Sequence, residues 1–252
     1  MSAPVPSSLH GATIYPGHKV LAMFPFFNET EKLDALAQRI SAGLADHFVA
    51  VNDGSTDDGP EKLRRYGLTV FDQPRSGLGA CITRCVEFAR ENGYDILVVM
   101  AGNGKDDPRE IPRLLKPIIA GDADYVQGSR FLSGGSSPNL PRFRLIAIKF
   151  LSLLFTLYMR KRCTDLTNGF RAYRLSLLDD PRMDIWQDWL RTYEYEYYVH
   201  FYAYRLGYRV AEVPVSKTYP SDLRQSYTKI KPFSGWWLML RPLVFLALGL
   251  KK

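Results

Sequence analysis

Several protein classes are excluded by what this sequence lacks. Cysteine occurs three times in 252 residues, at Cys81, Cys85 and Cys163, with no Cys-x-x-Cys pair. An odd count without paired spacing argues against a disulfide framework or a zinc site and fits a reducing, cytoplasmic setting. No apolar run reaches the roughly 20 residues that a membrane-crossing helix requires. The nearest, Trp236 to Leu250, is broken by Arg241 and Pro242 and is expected to lie in the plane of an interface. Met1 to His18 holds prolines and serines but no basic-then-apolar order, so it reads as a loose lead-in and not as a secretory signal. There is no internal repeat, heptad seam or low-complexity tract. Two phosphate motifs are incomplete. Gly102-Asn103-Gly104-Lys105 has Val99 in place of the upstream P-loop glycine and Asp106 where Ser or Thr belongs, and Gly77-Leu78-Gly79 lacks the third glycine of a dinucleotide fingerprint.

What is present is a chain large enough, with 46% hydrophobic residues, to bury one full core. The formal charge of +7 favours anionic partners such as phosphates, nucleotides or an acidic membrane leaflet. No nucleic-acid-binding motif accompanies it, so nucleic acid is not an expected partner.

From Lys19 onward, apolar strand-like runs alternate with amphipathic stretches, the pattern of a parallel sheet covered by helices. Strands are predicted at Val20 to Pro25, Phe48 to Val51, Leu68 to Phe71, Ile96 to Met100 and Tyr125 to Gln127. A helix is predicted from about Glu29, with Asn28 and Glu31 as N-cap and capping box and Leu33, Leu36, Ile40 and Leu44 as its buried stripe. A second helix follows the Gly54 to Asp58 turn, and a third spans Gly77 to Asn92. Asp107, Pro108 and Glu110 occupy N-cap, first-turn and capping-box positions of the next. Beyond Gly128 the alternation gives way to a Gly/Ser/Pro loop, a basic-apolar segment from Arg142 to Arg162 and an aromatic helix at Tyr193 to Leu206. In the basic-apolar segment Arg142, Arg144 and Lys149 interleave with Leu145, Ile146, Phe150, Leu151 and Leu154, a face suited to lipid headgroups.

Ligands of open α/β sheets bind beyond the carboxyl ends of the strands. Three polar clusters fall there: Asn28-Glu29, Asp53-Gly54-Ser55 and the Ala101 to Asp107 loop. Asp53 is equally consistent with a turn-forming aspartate and with a carboxylate that accepts hydrogen bonds from a base or ribose, beside helix N-termini that favour a diphosphate.

Pro25-Phe26-Phe27-Asn28-Glu29, Val51-Asn52-Asp53-Gly54-Ser55-Thr56-Asp57-Asp58 and Gly77-Leu78-Gly79-Ala80 resemble, in order and spacing, glycosyltransferase family 2. Gly128-Ser129-Arg130-Phe131, Asp165 to Tyr173, Leu206-Gly207-Tyr208-Arg209 and Glu212-Val213-Pro214 are similar to its dolichol-phosphate mannosyltransferase branch. The resemblance covers Val20 to Lys229. It implies a GT-A fold, Rossmann-like, with a mostly parallel sheet flanked by helices, over residues 19–230; the apolar stretch that follows is expected, from its own composition, to form amphipathic helices in a membrane-interfacial segment at 231–252. The resemblance also implies a nucleoside-diphosphate sugar donor and inverting transfer to a polyprenyl phosphate by an enzyme peripheral on the cytoplasmic membrane face. By the same resemblance Pro25, Phe27, Asn28, Glu29 and Asp53 would hold the nucleoside, Gly77 and Gly79 would allow close backbone approach, and Arg130, Arg224 and Lys229 would meet phosphates. Asp165 has a site role, or it caps a helix or pairs with Arg171. Glu194 reads as structural among Tyr193, Tyr195, Tyr197 and Tyr198.

One departure bears on mechanism. Where the family carries Asp-x-Asp for a divalent ion, this chain has Ala101 and Asn103. Magnesium and manganese prefer carboxylate oxygens, so weakened affinity for a divalent ion is expected, no cofactor is assigned, and Lys105 becomes the candidate to replace the ion's charge. The competing expectation places Asp106 or Asp107 on a metal in a shifted geometry. A phosphate acceptor needs no general base. A transferase acting on a glycan hydroxyl would need one, with Asp165 as the candidate, and an inactive nucleotide-sugar binder is the further alternative.

Overall fold

The computed structural model describes residues 13–220 and 234–251. Its first half alternates as expected: β1 (Val20–Phe26), α1 (Thr30–Ala37), β2 (His47–Asp53), α2 (Gly59–Arg65), β3 (Thr69–Gln73), α3 (Leu78–Glu91) and β4 (Ile96–Val99). After it come α4 (Ile111–Ile119), β5 (Tyr125–Ser129), α5 (Arg142–Met159), β6 (Arg171–Arg174), α6 (Glu194–Arg205), β7 (Val210–Pro214) and α7 (Ser234–Ala247). The seven strands form one sheet in the order β3-β2-β1-β4-β6-β5-β7. β6 alone is antiparallel to its neighbours β4 and β5. The sequence pattern gives no strand at β6 or β7. Both are short, and β6 places Ala172 and Tyr173 side by side between two arginines.

β1 is buried along nearly its whole length, as parallel strands covered on both faces must be. Alternate residues supply the two halves of the core. Leu21 and Met23 pack with α3 and α6, whereas Val20, Ala22 and Phe24 pack with α1 and α4.

The expected capping box at α1 does not form. Asn28 adopts φ 49°, a left-handed conformation that asparagine tolerates better than most residues, and its Oδ1 accepts from the Thr56 amide at 2.8 Å. Glu29 takes the N-cap position without a side-chain cap, and Asp57 Oδ2 accepts from the Thr30 amide at 3.1 Å. α1 also stops at Ala37, so Ile40 and Leu44 are buried from the loop that follows. Asp107 does cap, accepting from the Arg109 amide at 3.0 Å ahead of a 3-10 turn at Pro108–Glu110. Glu110 turns away from that cap to accept from the Ser216 amide at 2.7 Å.

α5 buries Ile148, Ser152 and Phe155 yet exposes Phe143, Ile146, Phe150, Leu153 and Leu157. These lie three and four residues apart and so share one helical face. α7 packs on α6, burying Leu246, and exposes Trp237 and Val244, with Leu248 exposed just beyond its end. The Tyr158 hydroxyl donates to the Ala247 carbonyl and joins α5 to α7. Among the described residues, no helix is long and apolar enough to cross a membrane.

Candidate active site

The carboxyl ends of β1, β2 and β4 open into a cleft of about 330 Å³, a size suited to a small ligand. Of the residues expected in a site, Pro25, Phe27, Glu29, Asp53, Gly77, Asn103 and Lys105 line it, and Asn28, Gly79, Arg130 and Asp165 do not. Arg224 and Lys229 lie outside the described residues. The far wall comes from the second half of the chain: Thr167, Gly169 and Arg171, then Thr192, Tyr193, Glu196 and Tyr197 at the start of α6, then Lys217 and Tyr219.

Asp53 sits at the tip of β2 and is nearly buried. Its Oδ1 accepts from the Ser76 and Gly77 amides at 2.8 and 3.1 Å, and its Oδ2 pairs with Arg75 at 3.0 Å. The guanidinium of Arg75 lies 3.6 Å over the ring of Phe27. Asp53 thus fixes the β3–α3 loop and at the same time lines the cleft. The two glycines after it serve the protein's own packing. A Cβ on Gly79 would stand 1.9 Å from the Leu190 carbonyl oxygen, and one on Gly77 2.6 Å from that of Arg191. The expected close approach is therefore made by segment 190–192, and Ala80 donates its amide to the Arg191 carbonyl.

The loop after β4 carries Ala101 and Asn103 at the positions of the expected acidic pair. The Ala101 side chain has no ligating atom, and Asn103 Oδ1 accepts from the Lys105 amide at 3.3 Å. Asp106 is completely buried. Its Oδ2 accepts from the Ala101 amide at 2.9 Å and its Oδ1 meets the Lys217 ammonium at 2.7 Å. Asp107 is occupied by its cap and by Arg109. Among the described residues no three His, Cys, Asp or Glu side chains converge as metal ligands. This donor set does not suit a hard divalent ion, and the carboxylates of Asp106 and Asp107 are both engaged by groups of the protein itself.

Cations gather there instead. Lys32, Lys105, Arg144 and Lys217 all line the cleft, with Lys32 paired to Glu29. Burial, followed by the charges of Lys217, Arg144 and Lys32, pushes the Lys105 ammonium down from 10.5 to about 8. An anion placed among these groups would relieve that repulsion. Arg144, expected on the lipid-facing side of its helix, turns inward to within 6.0 Å of the Tyr219 ring.

Arg130 is consumed elsewhere. It forms a two-pronged ion pair with Asp165, Nε to Oδ2 at 2.7 Å and Nη2 to Oδ1 at 2.6 Å, with both side chains essentially buried. Thr167 and Tyr219 accept from its remaining donors. The pairing of Asp165 with Arg171 is not made, because Arg171 donates to the carbonyls of Asn168 and Glu196. The other late motifs brace the same region: Asn168 donates to the Gly128 carbonyl at 2.9 Å, and Glu212 accepts from the Thr164 amide at 2.8 Å. Glu194 is structural as expected, fully buried against Arg241 of α7 and Thr192.

Glu196 escaped sequence reasoning. The run Tyr193-Glu194-Tyr195-Glu196 offers two glutamates about 200° apart on a helix, so one faces the core whenever the other faces the cleft. Only the register of α6 selects Glu196.

The Glycosyl transferase family 2 model matches residues 22–180. Polyprenol monophosphomannose synthase of Mycolicibacterium smegmatis is 29% identical, covering 87% of this chain and 88% of that protein. Undecaprenyl-phosphate mannosyltransferase of Micrococcus luteus is 31% identical, covering 79% and 83%. Glucosyl-3-phosphoglycerate synthase of M. tuberculosis superposes with a TM-score of 0.67 over 94% of this chain and 82% of that one, at 17% identity, which bears on the fold and identifies it as GT-A. With the family model spanning the strands and loops that build the strand-end wall of the cleft, this chain belongs to glycosyltransferase family 2.

Proposed function

We propose that the protein transfers a sugar, with inversion, from a nucleoside-diphosphate sugar to a polyprenyl phosphate, and that it does so without a divalent ion. The observation that carries this reading is the cluster of Lys105, Arg144, Lys217 and Lys32 in a strand-end cleft whose acidic pair is replaced by Ala101 and Asn103. The polyprenyl-phosphate relatives support the acceptor class.

In this reading Pro25, Phe27, Glu29, Asp53 and Gly77 form the nucleoside wall, with Asn28 holding the β1 and β2 loops together. Lys105, beside Asn103, neutralises charge on the departing diphosphate, and Arg224 and Lys229 extend the cation set. Arg130 and Asp165 act as positioning residues through Tyr219. An acceptor phosphate is already anionic, so catalysis reduces to alignment and charge stabilisation. The catalytic domain is assigned to 19–230 and the interfacial segment to 231–252. The exposed apolar faces of α5 and α7, free of acidic residues and flanked by Arg142, Arg160, Lys161 and Lys251, support docking on the cytoplasmic membrane face. Nucleic acid has no place in this scheme.

A second reading, transfer to a glycan hydroxyl, is favoured by one observation: the carboxylate of Glu196 in the cleft wall could serve as its general base, a role closed to the buried Asp165. A panel of nucleotide sugars assayed in excess chelator, with polyprenyl phosphate or glycan acceptors, decides. Transfer to polyprenyl phosphate is expected, falling about a hundredfold in Lys105→Ala. Undiminished transfer by that variant, dependence on manganese, or donor binding without turnover would each overturn the reading.

A further inference from the structure

We propose that Lys217 is the second fixed cation of the diphosphate seat, and that Asp106 holds its ammonium in the way the family's acidic pair holds a metal ion. This rests on the metal-free reading and extends it to a residue outside the matched motifs.

Lys217 follows β7 and reaches back across the cleft to the loop after β4. Its Nζ lies 2.7 Å from Asp106 Oδ1 and 3.1 Å from Asn168 Oδ1, and the side chain is still partly open to the cleft. Backbone bonds fix it from both sides: Asp106 and Lys217 form an isolated bridge, and Thr218 donates to the Lys105 carbonyl at 3.1 Å. That last bond ties the chain beside Lys217 to the backbone of Lys105, so the two ammonium groups come from directly bonded segments. Asp106 is completely buried and also accepts from Ala101, the residue standing at the first acidic position of the family motif. A carboxylate, a cation bound to it and a cleft therefore occur in the order a metal motif would give, with an ammonium in the metal's place. Lys105 adds the positive charge that Asp106 cancels on Lys217. Burial first, and this crowding second, lower the protonation of Lys105, and the crowded cations are consistent with a seat built for an anion.

Removing Lys217 alone would strand the buried Asp106 charge, so the informative variant is Asp106→Asn with Lys217→Gln, which keeps an acceptor for the Ala101 amide. Binding of UDP, GDP and the corresponding nucleosides is measured calorimetrically in excess chelator. The double variant is expected to bind the diphosphate about tenfold to a hundredfold more weakly, as loss of a charge-assisted contact implies, with nucleoside affinity unchanged. As a check needing no variant, amine acylation of the parent read by mass spectrometry should show Lys217 protected by the diphosphate and not by the nucleoside. Full diphosphate affinity in a folded double variant, or acylation indifferent to the diphosphate, overturns the assignment. A parent that binds the diphosphate only with manganese overturns the metal-free reading itself, which is a separate result.

Discussion

Lys105 and Arg130 are both cations that sequence reasoning would send to a phosphate, and the fold puts them in opposite electrical states. Arg130 is enclosed with Asp165, Thr167 and Tyr219, each nitrogen of its guanidinium answered by a partner. Lys105 is half-enclosed with Lys217, Arg144 and Lys32, and its charged form is disfavoured. Opposite charges brought together inside the protein hold two segments in place. Like charges gathered on a cleft wall leave a field that a ligand completes. The lesson is that the kind of residue at a motif position says less about its task than the sign of what surrounds it.

The contrast is broken most severely at the brace. Asp165→Ala should cost about 3–5 kcal/mol, since it leaves the buried Arg130 charge unpaired. Urea unfolding measures this, and a loss below 1 kcal/mol would show that the pair is not a structural brace. Next comes Gly79→Ala, whose Cβ would meet the Leu190 carbonyl at 1.9 Å. A cost of about 1–3 kcal/mol is expected from displacing segment 190–192, together with weaker donor binding, because Thr192 and Tyr193 line the cleft.

The pH dependence sharpens the comparison from the cleft side. Lys105 carries its proton below about 8 and loses it above, so affinity for a nucleoside diphosphate should fall severalfold as pH rises from 7 to 9, and Lys105→Met should abolish that slope. For stability the sign reverses. A lysine whose folded value, about 8, lies below its ordinary 10.5 costs stability at neutral pH, and that cost is relieved as pH rises between these values, where the unfolded chain binds more protons. Lys105→Met should therefore be more stable than the parent at pH 7 and lose the advantage by about pH 10.5 in paired thermal melts. The smallest effect is Asp107→Ala, expected to remove about 1 kcal/mol through its lost cap while leaving transfer in chelator unchanged. A change in metal response there would return Asp107 to the site.

Much of the strand-end wall of the cleft was legible in the chain. The β1, β2 and β4 runs, the polar residues at their ends and the departure at Ala101 and Asn103 are local features, and parallel strands place their carboxyl ends together by topology alone. Capping at α1 was misread because Asn28 and Asp57, on different loops, exchange the roles that a contiguous capping box would assign to one. The far wall was not legible. β6 is too short to show a period, Glu196 is selected over Glu194 by helix register, and Lys217 reaches Asp106 across 111 residues of chain.

Sequence by itself determined the family, the alternating first half, the missing acidic pair and the surplus of positive charge, because each depends on residue identity and near-neighbour spacing. The tertiary structure alone decided that Arg130 is spent on a buried carboxylate, that Lys105 faces the cleft and that Lys217 does both. That outcome depends on the distance between groups far apart in the chain and on the dielectric around them, and neither quantity exists until the sheet has closed.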